Sequence, residues 1–326
     1  MRCFERICDE QNILQGQIKM ENILSRPQIR CLTALICCAL WGSAFPCIKI
    51  GYEWLNITTV GSQILFAGYR FFMAGIVTFA VGCIVEKRIL RISRGSVPHI
   101  MGLGFLQTTV EYVFFYIGMS NITGTKGSII NGSSTFFAIL LAHFLIKDER
   151  LTWKKALGCV IGFAGVVLVN IDGFVGGGIS FMGEGMMLIS TAAYGASSTI
   201  VKLISHRGTP MAITAYQLMF GGFLIIVIGL ISGGHIEGFE LKSAVLLAYM
   251  VFISAAAFSL WTALLKYNPV GKVTIYGFCI PVFGVIMSGI FLGENIFGIE
   301  ILAALVCVCV GIIIVDRQDD AGGTSE

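Results

Sequence analysis

The sequence predicts an all-α integral membrane protein with ten transmembrane helices, arranged as two inverted five-helix repeats with both termini in the cytoplasm. Three observations carry this prediction. The composition is that of a chain surrounded by lipid, ten apolar runs are long enough to span a bilayer, and segments of the first half recur in the second half.

The composition places the chain in a membrane. Of its 326 residues, 56% are hydrophobic and only 13% are charged, whereas soluble domains carry roughly 25% charged residues. The net charge of +3 is small and the basic residues are spread over several loops, which argues against a nucleic-acid partner. We therefore expect a multi-pass protein of the cell membrane, with lipid and a small-molecule substrate as its partners.

Ten apolar runs predict the spans, since a helix needs about 20 apolar residues to cross roughly 30 Å of hydrocarbon. None of the runs shows the alternation of a barrel strand, so helices are expected. The predicted spans are 32–50, 61–85, 97–118, 124–146, 153–171, 181–201, 211–232, 243–265, 270–292 and 298–315. A polar leader (1–31) without a cleavage signal precedes them, so we expect the first run to remain as an anchor. A short tail (316–326) follows.

The basic residues predict the orientation, because cytoplasmic loops are enriched in lysine and arginine. With the N-terminus inside, most of the 22 lysine and arginine residues fall in cytoplasmic segments. The outer side keeps only Lys49, Lys126 and Lys242, and Arg70 lies within a span. Both termini are therefore expected in the cytoplasm.

Two internal matches indicate a duplication. Segment 119–149 matches segment 266–294 at a spacing of 147 residues, and segment 39–49 matches segment 192–202 at a spacing of 153 residues. The first match pairs Asn121 with Asn268, Gly124 with Gly271 and Phe136 with Phe283; the second pairs Trp41 with Tyr194, Gly42 with Gly195 and Lys49 with Lys202.

The matches divide the chain into repeats over residues 32–171 and 181–315. Each repeat holds five predicted helices, an odd number, so the second repeat must enter the membrane upside down relative to the first. Inverted repeats allow alternating access, because exchanging the conformations of the two halves converts an outward-open cavity into an inward-open one.

Several motifs follow one another in the order of a known family. They are W-G-S-x-F in the first span, Y-R-F-F in the second, the turn KYNPVGK before I-P-V-F-G-V, and L-G-E after the ninth. Over about residues 31–316 the chain resembles the EamA family of the drug/metabolite transporter superfamily. The resemblance implies a secondary transporter, commonly an exporter or permease for metabolites or amino acids. It also implies that helices 1–4 and 6–9 line the cavity, with helices 5 and 10 outside. One departure is Ser134, which stands where the second repeat has Pro281.

Two charges deep in predicted spans are the first candidates for substrate binding or coupling. Arg70 and Glu111 lie at similar depths, and an unpaired charge there costs several kcal/mol. We therefore expect them to pair or to line a wet cavity, and a purely structural ion pair is an equal alternative. Gln107, one turn before Glu111, extends the polar stripe or serves as a packing contact.

A second group of candidates combines aromatic rings with polar tips, which suit a pocket for small organic molecules. Packing between helices is the alternative for each of them, and Asn131 is better placed than the rest. The members of this group are Trp41, Asn131, Tyr194, Gln217, Trp261 and Tyr276. Gly158, Gly162 and Gly165 form a small-residue face that favours packing within the chain over a homodimer.

Other function classes lack their motifs. The eleven cysteines show neither metal-ligand nor disulfide spacing, so no metal or cofactor is expected. There is no H-E-x-x-H, no G-x-S-x-G and no P-loop, so we expect no enzyme. A membrane-embedded enzyme acting on a lipid-linked substrate and a channel remain the alternatives.

Overall fold

The computed structural model describes residues 20–147, 149, 151–169 and 180–321. Over these residues the secondary structure is helical and contains no strand. Residues 1–19 of the predicted leader and 322–326 of the predicted tail lie outside the described ranges.

The principal helices follow the predicted spans closely. All of them except α5 and α10 are at least 18 residues long and apolar enough over that length to cross a membrane, which makes eight such helices in the described part of the chain. In order they are α1 (Pro27–Trp54), α2 (Val60–Val85), α3 (Arg94–Asn121), α4 (Gly124–Leu145), α5 (Trp153–Val169), α6 (Phe181–Arg207), α7 (Pro210–Ile231), α8 (Leu241–Tyr267), α9 (Val270–Leu292) and α10 (Ile299–Ala321).

Local sequence explains where several helices begin. Thr59, Thr123 and Thr209 precede α2, α4 and α7, and each side-chain oxygen accepts a hydrogen bond from a backbone N–H of the first turn. Such N-caps satisfy donors that have no partner within the helix. Proline occupies the first position of α1 and α7, where its missing N–H costs nothing.

Helices at equivalent positions of the two repeats pack against each other through glycines. In the α2–α7 pair, a Cβ added at Gly68 would lie 2.7 Å from the backbone nitrogen of Ile226, and one at Gly229 would lie 2.8 Å from the backbone nitrogen of Leu65. Only glycine permits so close an approach of two backbones. This pair joins the two repeats.

The small-residue face of α5 is occupied by α10, its equivalent in the second repeat. A Cβ at Gly165 would lie 2.7 Å from the Ala304 carbonyl oxygen, and one at Gly311 would lie 2.6 Å from the Gly158 carbonyl oxygen. Gly162 abuts the ring of Phe278 in α9. The glycine face therefore serves packing within the chain, as the sequence favoured.

The helices α1 and α6 each pack against a helix of the other repeat. A Cβ at Gly42 would lie 2.6 Å from the Cβ of Phe283 in α9, and one at Gly195 would lie 2.6 Å from the Cβ of Phe137 in α4. These two matched glycines therefore contact nearly matched positions, which is the packing that a pseudo-twofold relation between the repeats requires.

Both α4 and α9 are interrupted, although only α9 contains a proline. In α4 the turn falls at Gly132 and Ser133, and the Ser133 hydroxyl donates to the Ile130 carbonyl. In α9 a 3₁₀ turn over Ile275–Phe278 precedes the final segment. Pro281 is the third residue of that segment, where the proline removes no internal hydrogen bond. The two breaks touch, because a Cβ at Gly132 would lie 2.8 Å from Pro281 Cγ.

Two glutamates tie α4 and α9 together at opposite ends. Glu149 follows α4 and accepts hydrogen bonds from the backbone nitrogens of Val270 (2.6 Å) and Gly271 (2.9 Å) at the start of α9. Glu294 follows α9 and accepts from Gly124 and Thr125, both at 2.8 Å, at the start of α4. Each carboxylate neutralises the positive end of the partner helix.

Candidate functional site

A small cavity lies between the two repeats, with walls from α1, α2, α3, α4, α6 and α9. Its volume is about 30 Å³, measured as the space open to the centre of a water molecule. The side chains around it are Trp41, Ala44, Phe45, Arg70, Glu111, Tyr112, Phe115, Asn131, Tyr194 and Ile280. Five of the candidate residues identified from the sequence thus meet at one place: Trp41, Arg70, Glu111, Asn131 and Tyr194.

Arg70 is held on the cavity wall by neutral partners. Its side chain is buried; Nε donates to the Ser254 hydroxyl at 2.8 Å and an Nη donates to the Tyr116 hydroxyl at 3.1 Å. Its guanidinium also lies 4.8 Å from the centre of the Phe71 ring, a cation–π distance. The direct Arg70–Glu111 ion pair considered from the sequence is not formed. Within the described residues, no carboxylate oxygen lies within 4.0 Å of this guanidinium. The two charges share the cavity instead.

Glu111 brings a buried carboxylate to the cavity. The residue is 4% exposed, and its Oε2 atom has no hydrogen-bond partner. A buried acceptor without a partner costs about 1–3 kcal/mol, and more when it is charged. Such an atom on a cavity wall is suited to receive a donor from a bound molecule.

A π-helical segment over Gly104–Val110 immediately precedes Glu111. The segment is fixed to α7, because the Thr108 hydroxyl donates to Gln217 Oε1 at 2.7 Å and the Thr109 hydroxyl donates to the Gly221 carbonyl at 3.1 Å. Segments of this kind are frequent at functional sites. Sequence reasoning missed it, since no residue pattern distinguishes a π-helical turn from an α-helical one.

The aromatic wall is built around Trp41. Its ring lies edge-on to Tyr194 (5.9 Å between centroids), Phe258 (5.5 Å) and Trp261 (5.1 Å). Trp41 and Tyr194, which the sequence repeat pairs, therefore meet in space. The Trp41 indole nitrogen and the Tyr194 hydroxyl are buried without a hydrogen-bond partner, which adds two polar atoms to the Glu111 carboxylate oxygen.

Four predicted candidates do not line the cavity. Gln107 is buried in the π-helical segment. Trp261 packs edge-on against the ring of Trp41. Tyr276 lies in the 3₁₀ turn of α9, where its carbonyl accepts from the Cys38 thiol at 3.0 Å. Gln217, which was considered with them, positions Thr108.

A larger, open vestibule lies at the end of the molecule where α3 gives way to α4. Its volume in the same measure is about 570 Å³. An ion pair between Lys126 and Glu184 (3.5 Å) forms part of its wall. The residues around the vestibule are Lys49, Ser120, Asn121, Ile122, Thr123, Lys126, Glu184, Leu292 and Glu294.

These features define a class of protein. A helical membrane protein with two repeats that enclose a polar and aromatic cavity at their interface has the architecture of a transporter. Within the described residues, no group of three or more His, Cys, Asp or Glu side chains is placed to hold a metal ion.

Comparison with known families places the chain within this class. The model of the EamA-like transporter family matches twice, over residues 28–171 and 181–316. The chain belongs to this family, and the resemblance that the motifs indicated is confirmed. It is a multi-pass membrane transporter.

Similar proteins carry transporter names. An uncharacterized transporter of Archaeoglobus fulgidus is 26% identical, over 85% of this chain and 95% of its own length. A protein of Escherichia coli K12 named a probable amino-acid metabolite efflux pump is 22% identical, over 83% of this chain and 90% of its own. A protein of known crystal structure superposes with a TM-score of 0.70 and 15% identity, over 91% of this chain and 98% of that chain, which shows a shared fold.

Proposed function

We propose that this transporter moves amino acids or closely related metabolites across the cell membrane by alternating access, as an exporter or permease. The observation that carries the proposal is the charge pattern of the cavity. A zwitterionic molecule has an ammonium group that suits the Glu111 carboxylate and a carboxylate that suits the Arg70 guanidinium. The rings of Trp41 and Tyr194 suit its apolar part. The names of two relatives, probable amino-acid metabolite efflux pumps of Escherichia coli and Salmonella typhimurium, support the same substrate class.

The cavity volume supports the alternating-access part of the proposal. Pockets for small organic molecules measure about 300–1,000 Å³, whereas this cavity holds about 30 Å³. A metabolite therefore enters only if the repeats move apart. The vestibule of about 570 Å³ at one end gives a route of entry or exit.

For topology we propose ten spans, with both termini in the cytoplasm. The α5–α10 pair packs helix against helix like the α2–α7 pair, which supports a spanning role for both of its members. The distribution of lysine and arginine supports the orientation, and the vestibule then opens to the outside. Membrane-impermeant labelling of single cysteines placed at Gly238 and at Arg91 tests this orientation, since only the first should react from outside.

A flux screen tests the substrate. Purified protein in liposomes loaded with a mixture of amino acids and related metabolites should release one or more of them with saturable kinetics, measured by mass spectrometry. Glu111→Gln should lower the rate at least tenfold, whereas Glu237→Gln, at an exposed loop position, should not. Release without saturation together with large ion currents would indicate a channel, and chemical conversion of a loaded compound would indicate an enzyme.

A further inference from the structure

Lys202 binds the connection between α8 and α9 at one end of the molecule. Its ammonium group donates to the carbonyl oxygens of Asn268 (2.8 Å) and Lys266 (3.3 Å), where α8 ends and α9 begins. A cation is favoured at this position, because the last carbonyls of a helix carry negative partial charge and have no partner within the helix. The contact joins α6 to the α8–α9 connection.

Lys49, which the repeat pairs with Lys202, makes no such contact. Lys49 lines the open vestibule together with Asn121, and it forms no hydrogen bond or ion pair with the described residues. In the alignment of the two repeats, with its spacing of 147 residues, Met119 and Asn121 at the end of α3 are equivalent to Lys266 and Asn268. Lys49 thus shares the vestibule with Asn121, and it does not bind the carbonyls of Met119 and Asn121, which are equivalent to those that Lys202 binds.

The asparagines of the two connections show the same difference. Asn268 is 3% exposed, and its amide donates to the Leu24 and Leu264 carbonyls. Asn121 is exposed, and its amide contacts are with Ile117, Ser120 and Met182. Two equivalent ends of one molecule are therefore in two states, closed at Asn268 and open at Asn121.

We propose that Lys49 and Lys202 are equivalent latches that close opposite ends of the transport pathway in turn. When Lys202 leaves the α8 carbonyls, Lys49 binds the Met119 and Asn121 carbonyls at the end of α3. The lysine contacts change while the carboxylate caps remain, because Glu149 and Glu294 are both engaged in this state. This inference rests on the alternating-access part of the proposed function.

Thiol labelling in intact cells tests the latches. An Asn121→Cys reporter is expected to react with a membrane-impermeant maleimide, and the modified peptide is quantified by mass spectrometry. Lys202→Met should lower the labelling rate about tenfold, since hydrogen bonds to a charged group are worth about 1.5–3 kcal/mol. Adding Lys49→Met to Lys202→Met should restore the rate, because the opposite latch is then lost as well. Lys242→Met, at an exposed lysine, is the matched control.

The outcomes separate the latch from the substrate. An unchanged rate in Lys202→Met, with thermal stability equal to that of the parent, would overturn the latch, as would a double variant that labels no faster than Lys202→Met. If Lys202→Met does not accumulate in cells, two other variants replace it. The Asn121→Cys reporter should react at the parent rate in Lys202→Arg, and in Lys49→Met it should react no more slowly than in the parent. A lower labelling rate in Lys49→Met overturns the inference. The labelling is also measured after an amino-acid mixture is added. A labelling rate that changes in the lysine variants but not on addition of the mixture would contradict only the proposed substrate.

Discussion

At the residue scale, Tyr194 places a buried hydroxyl on the cavity wall without a hydrogen-bond partner. Tyr216, one helix further along the chain, donates its hydroxyl to the Leu90 carbonyl at 3.0 Å, away from the cavity. The two tyrosines therefore allow a paired test, because one hydroxyl is available to a substrate and the other already stabilises the fold.

For Tyr194→Phe we expect a rise of about three- to tenfold in the KM for transport, the worth of one neutral hydrogen bond. Its melting temperature should stay equal or increase, because the variant no longer buries an unpaired hydroxyl. Tyr216→Phe should show the reverse, an unchanged KM with stability lowered by about 1 kcal/mol. Flux kinetics and thermal unfolding in detergent measure both effects. Equal KM values in the two variants would remove Tyr194 from the binding site.

Glu111 is also the candidate for coupling to a proton gradient. No direct guanidinium contact holds it, because Arg70 binds Ser254 and Tyr116 instead. We expect Glu111→Gln to abolish the dependence of flux on an imposed pH gradient in liposomes. Gradient-dependent flux that persists in this variant would show that the coupling group lies elsewhere.

At the element scale, glycine positions determine how closely the helices approach. Gly68 lies against the backbone of α7, whereas a Cβ at Gly102 in α3 would have no atom within 4 Å. We expect Gly68→Ala to destabilise the protein by about 1–3 kcal/mol through overpacking. Gly102→Ala should be neutral or stabilising by up to about 1 kcal/mol, because alanine favours helix more than glycine. Thermal unfolding of the two variants compares them directly, and equal losses would contradict the close α2–α7 contact.

The interrupted helices show what sequence could and could not indicate at this scale. Proline disfavours the interior of a helix, and the break in α9 occurs just before Pro281. Ser134 in the first repeat carries no such signal, yet α4 is interrupted at Gly132 and Ser133. The reason is tertiary, because Gly132 lies against Pro281. At the break, the Ser133 hydroxyl and the Ser133 backbone nitrogen both donate to the Ile130 carbonyl.

At the scale of the whole molecule, Glu149 and Glu294 hold the repeats together from opposite ends. Each carboxylate accepts from two backbone N–H groups of the other repeat. We expect Glu149→Ala and Glu294→Ala each to cost about 1–2 kcal/mol of stability, the usual worth of a helix cap. The double variant should lose the sum within about 0.5 kcal/mol, because separated sites act independently. Non-additive losses in thermal unfolding would show that the two ends are energetically coupled.

The sequence by itself determined the class of protein, the approximate bounds of the helices, the two repeats and the family. The first three follow from local length, apolarity and recurrence, and the family follows from the resemblance of short motifs in their order. None of these signals depends on how the helices pack. The tertiary structure decided which polar groups meet. Trp41, Arg70, Glu111 and Asn131 line one cavity, whereas Gln107, Trp261 and Tyr276 do not, because helix rotation and the π-helical segment before Glu111 set where each side chain lies. The sequence also cannot show that Lys202 binds backbone carbonyls while Lys49 does not, because the two lysines are equivalent in the repeat. Only a three-dimensional arrangement has one open end and one closed end.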